Sequence, residues 1–265
     1  MSSGARRSIT LLWLIGMLGA ASDLGAQGLG QRVVAVSSGT VRFEYPAAEG
    51  VCGNGRDNIS IRRSGRMTIS QGEFRSREWE SECEPGPVRV ALDVSHGAVK
   101  ALRAYVGGRW RGTADLDLGA VSATAASEYL LMLASTAPES VAKEAVFPAT
   151  LARDTKPWPR LLEIAKDDQR PREVRNSAVF WLGQGTAEEA TKGLAEIVDA
   201  DGDREVRKSA VFSLSQRPKD EAVPALLRIA REHRDPELRR SAIFWLGQTR
   251  DARALAYFEE VLLRR

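Results

Sequence analysis

The chain has 265 residues, of which 43% are hydrophobic and 28% are charged. This length allows one large domain or two ordinary ones, and the hydrophobic fraction suffices for a buried core, which excludes an intrinsically disordered chain. The formal charge is +3, and no segment concentrates the small arginine surplus, so the composition gives little support for a nucleic-acid-binding protein.

The first 26 residues have the parts of an export signal: a charged start, an apolar stretch at 9–20, and small residues up to Ala26. We predict cleavage after Ala26, with Ala21 as the alternative. The apolar stretch is shorter than the ~20 residues that a spanning helix needs, so an uncleaved anchor is the less expected alternative. No cysteine precedes Cys52, which excludes a lipoprotein anchor. The mature protein is therefore expected to be periplasmic or secreted, without a membrane span.

The two cysteines, Cys52 and Cys83, both lie before residue 120. In an exported protein an even pair of this kind most simply forms one disulfide, and two free thiols are the less expected alternative. The pair lacks Cys-X-X-Cys spacing, which makes a redox motif the weaker interpretation. Closing a loop of about 30 residues would constrain the unfolded chain by roughly 3 to 4 kcal/mol.

Residues 32 to about 117 alternate apolar and polar side chains, with Gly, Asn and Pro between the alternating runs, which is typical of short strands and turns. The alternation is clearest at 41–45 and 88–94. Further candidate strands are 32–36, 58–62, 66–70, 74–79 and 98–106. Six or seven short strands in this segment predict a small antiparallel sheet, sandwich or open barrel.

From about residue 120 the apolar period changes to 3.6, and one segment recurs every 32 residues. Its copies are REVRNSAVFWLGQ at 172–184, REVRKSAVFSLSQ at 204–216 and PELRRSAIFWLGQ at 236–248, with a fainter copy at 141–147. A period of this size indicates stacked helix pairs. Each copy predicts a first helix, and the second helices are predicted at about 157–166, 187–199, 220–232 and 251–263.

Several residues define the ends of these predicted helices. Asp203 and Asp235 occupy N-cap positions, and Gly183 and Gly247 are expected to end their helices. An amphipathic helix beginning near Val121 is predicted to cap the stack on the side of the β region. The last helix, with its two terminal arginines, is predicted to form an exposed polar cap at the other end.

The recurring segment resembles HEAT-type repeats of the short class named after phycobilisome lyases, which have an armadillo-type fold. The shared pattern, roughly V-R-x-x-A-x-x-x-L-G, stands at Val174, Arg175, Ala178, Leu182 and Gly183 and is largely repeated in the next two copies. The resemblance covers about residues 120–263 and implies an α-solenoid. It implies little about function, because helical-repeat folds serve scaffolds, enzymes and nucleic-acid binders alike.

Three columns of identical residues run through the repeats. They are glutamate at 173, 205 and 237, arginine at 175, 207 and 239, and glutamine at 184, 216 and 248. Strict recurrence is typical of the residues that hold a stack together. We predict that each arginine reaches the cap or loop of a neighbouring repeat, with a ligand-facing stripe as the alternative. Trp181 and Trp245 are predicted to face the core.

Partner contacts are expected where residue identity varies on this constant frame, and on the second helices, which usually line the concave face of such stacks. The varying position on the first helices holds Asn176, Lys208 and Arg240, and the second helices contribute Lys192, Glu196, Arg228 and Arg231. The second-helix residues would form a mixed-charge groove for a protein or peptide. A merely solvated face fits the pattern equally well.

Motifs for common catalytic and metal sites are missing from the sequence. Di-iron deoxyhypusine hydroxylases, which share this type of repeat, use several His-Glu pairs, whereas neither His96 nor His233 is followed by glutamate. There is no GxSxG, Walker, HExxH or helix-opening GxGxxG motif. We therefore predict no catalytic residue, metal or cofactor; a carboxylate-based hydrolase stays open without a nominated pair.

These patterns predict an α+β two-domain protein. A disulfide-clipped antiparallel β module at 27–118 follows a signal peptide at 1–26 and precedes an all-α HEAT-like solenoid at 119–265, made of a cap helix and about four repeats. The expected function is non-catalytic binding of another protein or peptide by the solenoid, without nucleic acid. The alternatives are an enzyme of the lyase-like or oxidoreductase repeat group, and ligand binding by the β module.

Overall fold

The computed structural model describes residues 20–56, 58–63, 66–71, 83–110, 112–185 and 187–263. One helix precedes two four-stranded sheets, and a run of paired helices follows them. The α+β fold class predicted from the sequence is confirmed. Most of the predicted signal peptide, at 1–19, and the candidate strand at 74–79 lie outside the described residues.

Helix α1 spans Ala20–Val34, where the sequence analysis placed the beginning of a strand at 32–36. That strand prediction is wrong because Leu29 and Val33, one helical turn apart, are both buried where α1 packs against α2 (Ala123–Thr136). Within the described part of the chain, no helix has both the length and the apolar character needed to cross a bilayer.

The first sheet contains β1 (Ser38–Tyr45), β6 (Val88–Ser95), β7 (Ala98–Val106) and β8 (Leu116–Ala120), in the order β7-β6-β1-β8. It is antiparallel except that β8 runs parallel to β1. The alternation predicted for 41–45 and 88–94 is confirmed, since every second residue is buried from Val41 to Tyr45 and from Val88 to Val94.

The second sheet contains β2 (Val51–Gly53), β3 (Ile59–Arg63), β4 (Arg66–Gln71) and β5 (Glu84–Pro85), in the order β4-β3-β2-β5, and all its pairs are antiparallel. The predicted disulfide between Cys52 and Cys83 is present. It joins β2 to the residue that precedes β5, so it fixes the edge of this small sheet.

The repeats form two layers of helices. The first helices are α3 (Glu139–Thr150), α5 (Arg172–Gln184), α7 (Arg204–Ser215) and α9 (Pro236–Thr249), and the second helices are α4 (Trp158–Lys166), α6 (Glu188–Ala200), α8 (Lys219–Glu232) and α10 (Ala252–Leu263). Seven of them lie within one residue of the predicted bounds, and α3 extends beyond the faint copy at 141–147 by two residues at its start and three at its end. Asp203 and Asp235 cap α7 and α9, since their carboxylates accept the N–H groups of Glu205 and Glu237.

Gly183 and Gly247 lie inside their helices and do not end them, because α5 continues to Gln184 and α9 to Thr249. At Gly183 the requirement for glycine is close packing between repeats. A Cβ there would lie 2.8 Å from the Cβ of Ser213 in α7. The end of α9 is instead formed by Arg250, which has the left-handed conformation with φ of 51°.

The first sheet and the helices share one continuous hydrophobic core. At their junction the buried Tyr45 hydroxyl donates to the carbonyl of Pro148 in α3 at 2.6 Å, and the N–H of Ala48 donates to the carbonyl of Leu151 at 2.7 Å. Burial raises the pKa of Tyr45 well above its usual value, so the phenol stays a neutral donor. The β module is thus bonded to the first repeat by both side chain and backbone.

Candidate interaction surface

The arginine column joins neighbouring repeats, as the sequence analysis predicted. Arg175 is 5% exposed; its Nε donates to the carbonyl of Ala165 at 3.0 Å, and its guanidinium pairs with the buried Asp201 in the loop before α7. Arg207 reaches Asp235, the cap of α9, at 3.6 Å. These contacts confirm the structural interpretation of the column over the ligand-facing stripe.

A second set of arginines supports the same caps from the first turn of each helix. Arg172 pairs with Asp203 at 2.6 Å, and Arg204 pairs with Asp235 at 3.3 Å. The hydrogen bond from Arg172 is the main cause that lowers the pKa of Asp203, and the Glu237 N–H does most to lower that of Asp235. Both caps are therefore ionised wherever the protein is folded at neutral pH.

The outward side of the second helices forms a continuous charged area, which we call the second-helix surface. Its residues are Lys166, Lys192, Glu196, Asp199, Arg228, Arg231 and Glu260. Ion pairs cross each junction between successive second helices in the described chain: Lys166 to Glu196, Asp199 to Arg228 at 3.0 Å, and, at the last junction, Arg231 to Glu260 at 2.7 Å and Arg253 to Asp220 at 3.7 Å. Three of the four predicted residues on these helices, Glu196, Arg228 and Arg231, therefore take part in bonds between repeats.

These ion pairs are exposed, with each side chain at least 39% accessible. Pairs of this kind contribute about 0 to 1 kcal/mol, because water already solvates both charges well. A partner can therefore exchange them for its own charges at small cost. Lys192 is also exposed and lies close enough to help Lys166 lower the pKa of Glu196, although the hydrogen bond from Lys166 is the larger cause.

The other three predicted residues lie on the first helices and belong to a different layer. Lys208 and Arg240 pair within their own helices with Glu205 and Glu237, three residues earlier. The Oδ1 of Asn176 is buried and accepts no hydrogen bond from the described residues. The structure thus divides the seven candidate residues into two groups and does not bring them together into one site.

Arg217 is a buried polar residue that the sequence analysis did not identify. Its guanidinium donates to the carbonyl of Ala187 at 2.7 Å, to the Thr191 hydroxyl at 2.8 Å and to Glu221 at 2.9 Å. These bonds tie the α7–α8 loop to the preceding repeat. Recurrence could not reveal this role, since the positions one period away hold Gly185 and Thr249.

The two histidines lie in unrelated places. His233 is the C-cap of α8; its Nε2 lies 3.2 Å from the carbonyl of Val198, and its Nδ1 accepts the N–H of Asp235 at 3.0 Å. This pattern matches a neutral ring with the proton on Nε2. His96 is exposed in the turn between β6 and β7. The described residues contain no cluster of three or more His, Cys, Asp or Glu able to hold a metal ion.

An aromatic column runs through the first helices on the side where they contact one another. Its ring contacts join Phe147 to Trp181 at 4.4 Å, Phe180 to Phe212 at 6.4 Å, Phe212 to Trp245 at 5.0 Å and Phe244 to Trp245 at 4.9 Å. Trp181 is 8% exposed, which confirms its predicted core position, whereas Trp245 in the last repeat is half-buried. The column is therefore part of the junctions between repeats.

A cleft of about 960 Å³ lies between α1, α2 and the turn that joins β6 to β7. Its walls are mostly apolar and include Val34, Val99, Leu131 and Met132, with Arg160 among the polar lining residues. Clefts of this size and character are typical of small-molecule sites. It is separate from the second-helix surface.

Similarity to a known family is found in the helical part of the chain. No curated protein shows significant similarity to the chain. Residues 191–265 match the family model for HEAT repeats, a range that contains the copies at 204–216 and 236–248. The short phycobilisome-lyase class stays a prediction. The match shows that the C-terminal part of the chain, at 191–265, is similar to HEAT repeats.

Proposed function

We propose that the chain is an exported, non-catalytic binding protein whose second-helix surface recognises another protein or peptide. HEAT repeats are generally scaffolds for protein interactions. The observation that favours this surface is its alternation of exposed basic and acidic side chains along three successive junctions. An occupant with charges of both signs can replace these weak ion pairs one by one.

The charge distribution favours a protein partner over nucleic acid. Arg228 and Arg231 each face a carboxylate, and the chain without its predicted leader has 36 basic and 34 acidic residues. Affinity for nucleic acid depends on a concentrated positive field that neutralises several phosphates. Paired charges do not supply such a field.

Export is supported by the leader-like sequence at 1–26 and by the Cys52–Cys83 disulfide, which persists in oxidising compartments. N-terminal sequencing of the protein from its native cell, combined with fractionation, tests this part. We expect a chain that begins at Gln27 in the periplasmic or secreted fraction. A chain that retains residues 1–26 in the cytosol would contradict it.

The binding site is tested by capture from the native cell envelope with a charge-swapped protein. Exchanging Asp199→Arg with Arg228→Asp, and Arg231→Glu with Glu260→Arg, keeps each ion pair inside the molecule but inverts the charge pattern that a partner meets. We expect the swapped protein to melt like the wild type and to lose the captured protein. The matched control, Lys208→Glu with Arg240→Glu, changes the first-helix group and should retain it.

A second candidate function is the binding of a small apolar ligand in the cleft between α1, α2 and the β6–β7 turn. The observation in its favour is the cleft's volume of about 960 Å³ and its apolar lining. Met132→Arg would place a charge in this cleft. A solvatochromic dye serves as the probe. If the dye binds the wild type but not this variant, while capture by the second-helix surface is unchanged, the cleft is a separate binding site.

A further inference from the structure

The last described repeat has an uncovered apolar face where the two preceding repeats are covered by a neighbour. Ile243 is 37% exposed, whereas Val211 and Val179, at the same position one and two periods earlier, are fully buried. In the second helices, Val261 is 50% exposed, whereas Ile197 and Ile229 are 2% and 0% exposed. The sequence thus continues to place apolar residues at positions that contact a following repeat.

The aromatic column ends at this same face. Phe180 contacts Phe212 of the next repeat, and Phe212 contacts Trp245 of the next. Phe244 occupies the equivalent position, contacts Trp245 of its own helix, and is 57% exposed. Leu262, equivalent to the buried Val198 and Ala230, is 75% exposed. The two terminal arginines on which the predicted polar cap depends, at 264–265, lie outside the described residues.

Two further positions show the same change between inner repeats and the last one. A Cβ on Gly183 would collide with Ser213 of the following repeat, but a Cβ on Gly247 meets nothing within 4 Å. Arg239, unlike Arg175 and Arg207, has no carboxylate partner among the described residues; it donates to the carbonyl of His233 at 2.7 Å. The face therefore has the composition of an inner junction, but no neighbouring repeat among the described residues covers it.

We propose that this face, formed by Ile243, Phe244, Val261 and Leu262 around Gly247, binds the same face of a second copy of the chain. The face continues the series of junctions inside the stack, where surfaces of this composition are covered by other units of this same chain. Exposed contiguous apolar patches are typical of interaction sites. The face also presents Arg239 and Glu259, neither of them ion-paired among the described residues, so two copies have charges of both signs to match.

The geometry of the chain favours a closed dimer over a filament. At the other end of the stack, α2 and strand β7 pack against α3, so the described residues leave no corresponding open face on the first repeat. Head-to-tail addition of copies would need such a face. An isologous contact between two identical ends closes after one step, which limits the assembly to two copies.

The test measures the molar mass of the protein in solution. The protein is expressed from the full sequence and purified with the N-terminus that the host leaves. We expect sedimentation equilibrium to give a dimer for the wild type. Phe244→Asp combined with Leu262→Asp should raise the dissociation constant on the order of 100-fold, because two apolar contacts become buried charges. Both residues are exposed in the single chain, so the change should leave its fold intact, and circular dichroism checks this.

The matched control is Ala256→Asp on the same helix α10, at the position where the inner repeats have the exposed Lys192 and Pro224. This variant should remain a dimer. A milder pair, Phe244→Ser with Leu262→Ser, should give an intermediate constant. A wild type that stays monomeric at every accessible concentration would overturn the proposal, and so would a dimer that persists in the aspartate variant. The result does not depend on the second-helix surface, which these variants leave unchanged.

Discussion

The guanidinium of Arg175 pairs with the carboxylate of Asp201 across the junction between two repeats, with each side chain 6% exposed. Asp201 also accepts the N–H of Asp203 at 2.8 Å, and Arg175 also donates to the carbonyl of Ala165. Both buried charges therefore have hydrogen-bond partners on more than one side. A buried pair of this kind is costly to break, because removal of one partner leaves the other charge without compensation.

We expect Arg175→Met to lower the free energy of unfolding by about 3 to 5 kcal/mol, since Asp201 would be left buried and unpaired. Combining it with Asp201→Leu should recover most of this loss. Arg239→Met is the matched control, because Arg239 has the same repeat position but bonds to carbonyl groups; its cost should be about 1 to 2 kcal/mol. Denaturant unfolding at protein concentrations that keep the chain monomeric measures all three. Equal costs at the two positions would contradict this account.

Glycine occupies the same position in an inner repeat, as Gly183, and in the last repeat, as Gly247. Gly183→Ala places a Cβ 2.8 Å from the Cβ and the carbonyl oxygen of Ser213, so α5 and α7 must move apart, and we expect a loss of about 1 to 3 kcal/mol. Gly247→Ala meets open space in a helix interior, where alanine is favoured over glycine by about 0.5 to 1 kcal/mol. Thermal melting, at protein concentrations that keep the chain monomeric, should therefore shift in opposite directions. A shift of the same sign in both variants would show that packing between repeats is not the reason for Gly183.

The helical part of this fold could be predicted from the sequence because the same local pattern recurs. Each copy supports the others, so the bounds of the first helices, the caps at Asp203 and Asp235 and the bonds of the arginine column all followed from one repeat. The β region has no recurrence, and its sheet order depends on pairing between distant strands such as β1 and β6. Helix α1 was missed because the short apolar run at its end has no period that separates a helix from a strand.

The ion pairs of the second-helix surface were missed for a different reason. Their partners are 29 or 30 residues apart, as for Lys166 with Glu196 and Arg231 with Glu260, which is slightly less than the period of 32. The offset arises because side chains on neighbouring helices meet diagonally. A search for opposite charges at this spacing would have shown that Glu196, Arg228 and Arg231 are paired across the junctions.

The disulfide gives a third prediction. Replacing Cys52 and Cys83 together with serine should lower stability by about 3 to 4 kcal/mol, because the oxidised loop of this length restricts the unfolded chain. The control is the wild type in a strong reductant, which should melt close to the double variant. Thiol labelling of the native, unreduced protein should be negligible. Full labelling before reduction, or a variant as stable as the oxidised protein, would contradict a stabilising bridge.

The cap carboxylates make the repeats sensitive to acid. The pKa of Asp203 is lowered chiefly by Arg172, and that of Asp235 chiefly by the Glu237 N–H. Asp251, directly before α10, accepts the N–H of Arg253 in the same way, and its pKa is lowered to about 2, chiefly by the Arg253 side chain. A carboxyl whose pKa is lower in the folded than in the unfolded chain stabilises the fold above its unfolded pKa of about 4. This stabilisation is lost as the pH falls through the folded pKa.

We therefore expect the melting temperature to stay nearly constant from neutral pH to about pH 5 and to fall steeply between about pH 4 and pH 2. Asp203→Asn keeps a residue able to cap α7 but removes the charge, so it should lower the melting temperature at neutral pH and flatten the fall in acid. Arg172→Gln should reproduce most of this flattening, because the guanidinium is the largest cause of the lowered pKa. If Asp203→Asn shows the same acid dependence as the wild type, the charge of this cap does not contribute to the acid sensitivity of the stack.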